Sequence, residues 1–428
     1  MTRSAPAALT VAFPVALALA VGAALAVQQP QAALVWGLGC GLGHVLVRGR
    51  FGFASGYRRL LVERDPGPAY AQLLLVALLV VAMALVLALE PLTGLRPKLL
   101  NTTITLPFLA GAFLFGIGME RARACGCGSL AATSRGGAGV LAALAGLVIG
   151  AFIGSLHGPL LARLPQPRLD SPVGLDLFGL AGALLLQLLL IALIALLLTR
   201  WTGQSPWAGQ PRQSNPPYGA AAAVALLAIG LLLVTAEPWK VLWGLALSGA
   251  HLAQLLGWDP QSSVFWSSAK GQALLQGPGA WLFNHAVLVD LGLVYGSVAT
   301  AIGQGRFRLA GEAPQSLAAM ARSGGGGLLM GYGGLLASGC NVNAFLGGVM
   351  SFSLHGWIWL AAALLGFASS LRWSGGFGNG ADVSCRANAP NLTELLLALP
   401  QDDEPFEPMG LTPRQFPCTT STRWCSRS

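Results

Sequence analysis

Three features of the sequence predict an all-α polytopic membrane fold. Apolar residues make up 54% of the 428-residue chain and charged residues only 10%, whereas soluble domains carry roughly 25% charged residues. Three runs, 69–89, 99–119 and 177–198, contain no charge, and each is long enough to cross ~30 Å of hydrocarbon, which takes about 20 apolar residues. The third feature is residues 324–373, a Gly-rich apolar stretch holding Cys340, Asn341 and Asn343. Dense glycine with polar residues suits a broken helix, and broken backbone survives in a bilayer only where protein buries it or it lines a watery cavity.

Taken in order, residues 1–28 carry Arg3, an apolar run and Ala24-Leu25-Ala26, the parts of a signal peptide. The uncharged stretch continues to Val47, so it reads as an uncleaved first helix at about 8–27. A short Gly-bearing piece, 32–47, leads into Arg48-Gly-Arg50-Phe-Gly52-Phe-Ala-Ser-Gly-Tyr-Arg58-Arg59, an interfacial loop or a short re-entrant helix. A span follows at 69–89. The next, 101–119, is opened by Asn101, Thr102 and Thr103 as expected caps. Beyond Glu120-Arg121-Ala-Arg123-Ala-Cys125-Gly-Cys127-Gly-Ser, an apolar piece runs from 136 to about 157, and a Pro-bearing loop precedes the span at 177–198. The Pro/Gln/Ser-rich segment 199–218 marks a boundary. Spans at 219–236 and 279–302 flank a Trp-bearing stretch, 237–276, that suits the interface. The expectation is one membrane unit, 1–373, in two halves at about 32–199 and 219–373, with a polar, disordered tail over 374–428.

The halves read as copies. Leu114-Phe-Gly116-Ile-Gly118, six further residues and Cys125 match Leu329-Met-Gly331-Tyr-Gly333, six further residues and Cys340. Upstream, Gly49-Arg50-Phe51 matches Gly305-Arg306-Phe307 in the same order. Duplication with broken helices is a transporter pattern, and the site lies where the repeats meet. Inverted repeats would set the two Gly-Arg-Phe loops on opposite faces, with Arg50 and Arg306 at two mouths.

The net charge of +9 belongs to arginines that anchor membrane helices rather than to a nucleic-acid surface, and it favours an anionic substrate. Seven cysteines form no CxxC pair, which argues against a disulfide framework. No GxxxxGK[ST] is present, so transport would be passive or ion-coupled rather than ATP-driven. The substrate-contact candidates are Cys125 and Cys340, with Gly126, Gly339 and Asn341 beside them. Cys40 reads as a packed thiol. Cys385, Cys418 and Cys425 receive no role. Cys125-x-Cys127 lacks the further ligands that a metal needs, and no cofactor is expected. His355 reads as a packed histidine. Asp290 is a functional candidate or half of an ion pair. Glu120 and Arg121 suit pairing at a helix end. An enzyme reading, a membrane thiol oxidoreductase, would want a CxxC.

Arg48-Gly-Arg-Phe, the approach to Cys125-Gly-Cys-Gly-Ser-Leu, Gly331-Tyr-Gly-Gly-Leu-Leu-Ala-Ser-Gly-Cys340-Asn-Val-Asn and Ser353-Leu-His-Gly-Trp357 together resemble the YeeE/YedE sulfur-transport family. The resemblance covers about 32–373. It implies an hourglass-like fold of two pseudo-symmetric repeats with spanning and short re-entrant helices. It also implies a multi-pass protein of the cell inner membrane that passes a small inorganic sulfur anion, thiosulfate-like, along cysteines at a constriction. Two departures stand out: Gly52 occupies a position where the family usually has cysteine, and Glu120 to Arg123 replaces small apolar residues. The second-half wording is closer to the YedE branch, for which a selenium-related substrate is the alternative. A further alternative is a non-transporting membrane partner of a soluble sulfur carrier.

Overall fold

The computed structural model describes residues 7–165, 167–206, 217–308 and 315–375. The first elements are α1 (Ala7–Gln28), α2 (Pro30–Arg48), the short α3 (Phe53–Arg58) with a π-turn over Arg59–Glu63, α4 (Gly67–Ala88) and α5 (Glu90–Thr93). Next come α6 (Leu106–Ala122), the short α7 (Gly126–Ala131), α8 (Ala138–Leu161) and α9 (Gly174–Thr202). The remainder is α10 (Tyr218–Thr235), α11 (Leu242–Leu255), α12 (Ala269–Leu274), α13 (Gly277–Leu282), α14 (His285–Gly303), α15 (Leu317–Leu336), a π-helix over Asn341–Leu346 continued by α16 (Gly347–Met350), and α17 (His355–Trp373). Among the described residues, strands are confined to one antiparallel pair, Ile104–Thr105 with Arg168–Leu169. The expected disorder of the tail concerns residues that, from 376 on, lie outside the described ones, as do Cys385, Cys418 and Cys425.

Six helical stretches among the described residues are long and apolar enough to cross a bilayer. Their outward faces are greasy. On α9, Leu177, Phe178, Leu185, Leu189, Leu193 and Leu196 are exposed, and only Ala183, Gln187 and Ile191 are buried. A face of this kind is stable only against lipid. Gln187 points inward and accepts a hydrogen bond from Trp357 Nε1 at 2.8 Å.

The centre is built from backbone contact. α15 lies against both α6 and α8, and α17 lies on α6. Gly111 and Gly118 of α6 meet Gly333 and Gly326 of α15, so these two helices are antiparallel. Gly146 and Gly150 of α8 meet Gly324 and Leu328 of α15, so that pair is parallel. α6 and α17 are also parallel, with Phe115 against Trp359 and Gly116 against Ala363 and Phe367. Lipid chains are as apolar as leucine, so helices associate through close van der Waals contact, and glycine permits it. At the flank, α2 runs parallel to α14, Gly39 meeting Gly292 and Gly43 meeting Ser297. α1 packs back on both, since Trp36 Nε1 donates to the Ala18 carbonyl and Tyr295 Oη to the Pro14 carbonyl.

Three expectations need correction. α6 starts at Leu106, with Thr105 as its cap; Thr105 Oγ1 accepts from the Phe108 N–H. Asn101 instead donates to the Ser171 carbonyl and accepts from Ser353 Oγ, tying the loops at one end of the bundle. The span drawn over 279–302 is two helices, because Asn284 caps α14 by accepting from the Ala286 N–H. The third concerns the Gly-Arg-Phe loops. Because α2 and α14 are parallel, Arg50 and Arg306 line one and the same cavity, so neither loop is the inverted counterpart of the other.

The glycine contacts make a direct expectation. A Cβ at Gly116 would collide with the Ala363 carbonyl, whereas one at Gly37 would meet nothing within 4 Å. Gly116→Ala should lose about 1–3 kcal/mol of stability through overpacking, seen as a lower melting temperature in detergent, and Gly37→Ala should melt like the parent.

Candidate functional site

α15 stops at Leu336 and the chain turns sharply into Cys340. Ser338 and Gly339 have φ of 61° and 142°. A Cβ at Gly339 would also sit 2.7 Å from Asn343 Nδ2, so only glycine fits there. The Asn343 amide donates to the Ser338 carbonyl at 2.6 Å and pins the turn. Cys340 is then the cap of the π-helix, with the backbone N–H groups of Val342 and Asn343 facing its sulfur.

The first half makes a similar turn. α6 ends at Arg123, φ 54°, and Cys125 caps α7, where its Sγ accepts from the Gly128 N–H at 3.3 Å. The Phe53 N–H at the start of α3 faces the same sulfur. Gly52, the position lacking the family's usual cysteine, immediately precedes that N–H. Gly126 abuts Cys340: a Cβ there would lie 3.6 Å from Cys340 Cβ and 3.7 Å from its Sγ. The predicted residues Cys125, Gly126 and Cys340 are therefore brought together, with Gly339 shaping the turn. Asn341 is drawn in as well, since it donates through Nδ2 to Tyr57 Oη at 3.1 Å.

Sequence reasoning missed Cys127, which had been weighed only as half of a metal pair. Its Sγ lies 3.4 Å from Cys125 Sγ, so a third thiol is present although Gly52 supplies none. All three thiols are 3% exposed or less. Phe53, Tyr57 and Leu242 also went unnoticed. Phe53 packs edge-on against Phe345, Tyr57 joins α3 to Asn341, and Leu242 approaches Gly126.

Two cavities lie beside this cluster, one reaching Cys125 and the other reaching Gly339 and Asn343 on either side of Cys340. One, of about 460 Å³, is lined by Arg50, Gly52, Phe53, Arg123, Cys125, Gly128, Arg135, Gln304 and Arg306. The other, of about 480 Å³, is lined by Lys98, Glu237, Trp239, Lys240, Leu242, Lys270, His285, Ser338, Gly339 and Asn343. Ala286 of α14 lines the second and Ala301 the first, so they open at opposite ends of a helix about 28 Å long. In the second cavity, Lys240 and Lys98 both bind Glu237, at 2.5 and 3.2 Å. Partial burial raises the Glu237 carboxyl, but the two ammonium groups outweigh it and hold the group below its ordinary value. Both cavities are thus basic.

The family model described as sulphur transport matches residues 48–369. The chain belongs to this family. Among its relatives is the thiosulfate transporter TsuA of Spirochaeta thermophila, 27% identical over 341 residues, covering 74% of this chain and 91% of the relative. TsuA of Escherichia coli is 27% identical over 349 residues, 77% of this chain and 91% of that one. The probable transporter YedE of Salmonella typhimurium is 30% identical over 151 residues, 34% of this chain and 36% of the relative. With helices apolar enough to cross a bilayer, this sulphur-transport family member is a multi-pass membrane protein.

The remaining polar candidates have structural settings. His355 Nδ1 lies 2.7 Å from Ser353 Oγ inside the Asn101–Ser171 network, as a packed histidine would. Glu120 accepts from Arg58 at 3.3 Å and from Ser370 at 2.8 Å, which is why a carboxylate sits at the end of α6. Cys40 packs its backbone against Gly296 of α14.

Tyr57 is buried, and its hydroxyl is the partner of Asn341 Nδ2. Tyr57→Phe should therefore cost about 1–3 kcal/mol, the penalty of an unsatisfied buried donor. A melting curve unchanged from the parent would show that the hydrogen bond carries no weight.

Proposed function

We propose that this chain is a permease carrying a small sulfur-containing anion, thiosulfate first, across the cell inner membrane through a narrow point between Cys125 and Cys340. The observation that carries the reading is the pair of basic cavities that approach one thiol cluster from opposite ends of α14. The names of the TsuA relatives support the substrate. Thiosulfate is a dianion with one soft terminal sulfur. Thiols are weak S–H donors, mostly neutral near pH 7, and they match that sulfur without trapping the charge. Backbone N–H groups at the starts of α3, α7 and the 341–346 helix supply donors for the oxygens.

Two inverted repeats fit this reading. A single shift in numbering relates Cys125 to Cys340, Gly116 to Gly331 and Gly118 to Gly333. The packing is reciprocal. Gly331 rests on Leu147 and Ala151 of α8, as Gly116 rests on Ala363 and Phe367 of α17. α6 and α15 are antiparallel, and so are α2 and α10, in which Leu38 faces Gly230 and Gly49 faces Ala220. On this reading the cation that corresponds to Arg50 is Lys240, at the other mouth. α3 and α7 enter from one side and the 341–350 helices from the other, which gives the hourglass.

The orientation follows from charge. Arg48, Arg58, Arg121, Arg200 and Arg372 end their helices on the side of the Cys125 mouth, where Arg50, Arg123, Arg135, Arg306 and Arg322 also lie. Cytoplasmic loops carry the excess of arginine, so the Cys125 mouth faces the cytoplasm and the Cys340 mouth faces outward. α17 ends on the arginine-rich side. A fluorescent protein fused to the C-terminus should fluoresce, and alkaline phosphatase fused there should be inactive. The opposite pair of results overturns the orientation.

Cys340→Ala should abolish thiosulfate uptake in a sulfur-starved host while expression stays normal. Cys340→Ser should recover little, because a hydroxyl is a harder and smaller donor. Parental uptake by the alanine variant, scored by growth on thiosulfate as sole sulfur source, sinks the reading of the thiols as the narrow point.

A further inference from the structure

The second turn of α14 holds a carboxyl group that thiosulfate passage alone does not use. Asp290 is 5% exposed, and neither of its oxygens has a hydrogen-bond partner among the described residues. The ion pair that would have explained it structurally is not made among the described residues. α11 presents Gly244 directly to Oδ2, so the space for the carboxyl exists because that residue has no side chain. On the other flank α2 brings Gly39 against Val289 and Gly292. Val289, the residue before Asp290, lines the same cavity as Gly339, which precedes Cys340. His285, on its own helix, and Glu237 and Lys240 stand further out, at the rim of the Cys340-side cavity. Ala286 and Val289, the residues that precede Asp290 on the same helix, line that cavity, so a proton has only a short way to travel.

We propose that Asp290 is a proton-binding site coupled to the anion, taking up a proton from the Cys340-side cavity as the anion arrives and releasing it as the anion leaves toward Cys125. The inference rests on the reading of Cys340 as part of the anion path. Its physical basis is exclusion. An unpaired carboxylate inside a span is costly by several kcal/mol, and a dianion at Cys340 would add like-charge repulsion in a poorly screened site. Neutralising Asp290 removes both penalties at once, so anion and proton bind together more readily than either alone. A metal cation would need further oxygen ligands, and Gly244, which abuts the carboxyl, brings no side-chain oxygen. A proton needs none.

The test uses the full chain in proteoliposomes, with labelled thiosulfate outside, a pH-sensitive dye inside and the membrane voltage clamped at zero. With one proton per anion, the accumulation ratio of the wild type should rise about tenfold for each unit of inward pH gradient, because each unit is worth about 1.4 kcal/mol. Thiosulfate addition should acidify the lumen. Asp290→Asn should lose both the gradient response and the acidification, and Asp290→Glu should keep them. Wild-type accumulation that ignores the gradient, or an Asp290→Asn variant that still follows it, overturns the proposal while leaving the permease reading in place. A wild type that takes up no thiosulfate under any gradient overturns the permease reading instead, and the coupling with it.

Discussion

The whole arrangement depends on α15 lying in backbone contact with two neighbours. A helix interface in water is driven by apolar surface leaving solvent, but between helices in lipid that drive is absent. What remains is contact at van der Waals distance, and α15 obtains it with Gly326 and Gly333 toward α6 and Gly327 and Gly331 toward α8. Side chains at these positions would push the three helices apart. The turn at Ser338–Gly339 would then move outward, and Cys340 would no longer abut Gly126. The mid-membrane break is tolerated for the same reason, since the backbone it exposes is enclosed by protein and finds local partners such as the Gly334 carbonyl for the Gly339 N–H.

On the permease reading, enclosure explains which groups stand at the proposed narrow point. An arginine about 4 Å from a dianion, at an effective dielectric near 20, would hold it by roughly 8 kcal/mol. A pore with such a group at its waist would bind its substrate and keep it. In this chain the guanidinium and ammonium groups line the two cavities, which on the permease reading are the mouths, where such charges would raise the local anion concentration. On the permease reading, thiols and helix-start N–H groups would form the waist and offer many weak interactions, which suits entry and release alike. Cys127 belongs to this logic. It adds a third thiol beside Cys125 without adding charge, in a chain whose Gly52 brings none.

Much of this could be read from the sequence because membrane burial writes long signals. The spans at 69–89, 177–198 and 219–236 differ from α4, α9 and α10 by only a few residues at each end. The break at Cys340 and its partner at Cys125 were visible because a Gly-x-Gly approach and a thiol recur at identical spacing. The Gly-Arg-Phe match failed for want of that spacing. Three residues at unequal distances from the thiol carried no register, and parallel packing of α2 on α14 sets both loops at one mouth. Tyr57 and Leu242 were not legible because their importance arises only when α3 and α11 meet residues far along the chain. Cys127 was legible as a residue but not as a neighbour, since residues i and i+2 face different ways along a helix, and the turn at the α7 cap is what brings the two sulfurs together.

The unequal charge of the two mouths bears on energetics as well as orientation. Moving one negative charge inward against an inside-negative potential costs about 2.3 kcal/mol per 100 mV, so a dianion costs about twice that. The arginines around the Cys125 mouth, with no carboxylate among the residues that line it, offset part of this locally. They cannot supply net work, because a fixed charge lowers the energy of the anion on arrival and raises the cost of its departure by the same amount. Accumulation against the potential therefore requires a second species moving down its own gradient. On the permease reading Asp290 is placed for that exchange, being a buried carboxyl whose oxygens have no hydrogen-bond partner among the described residues, next to Val289 in the lining of the cavity that also reaches Gly339.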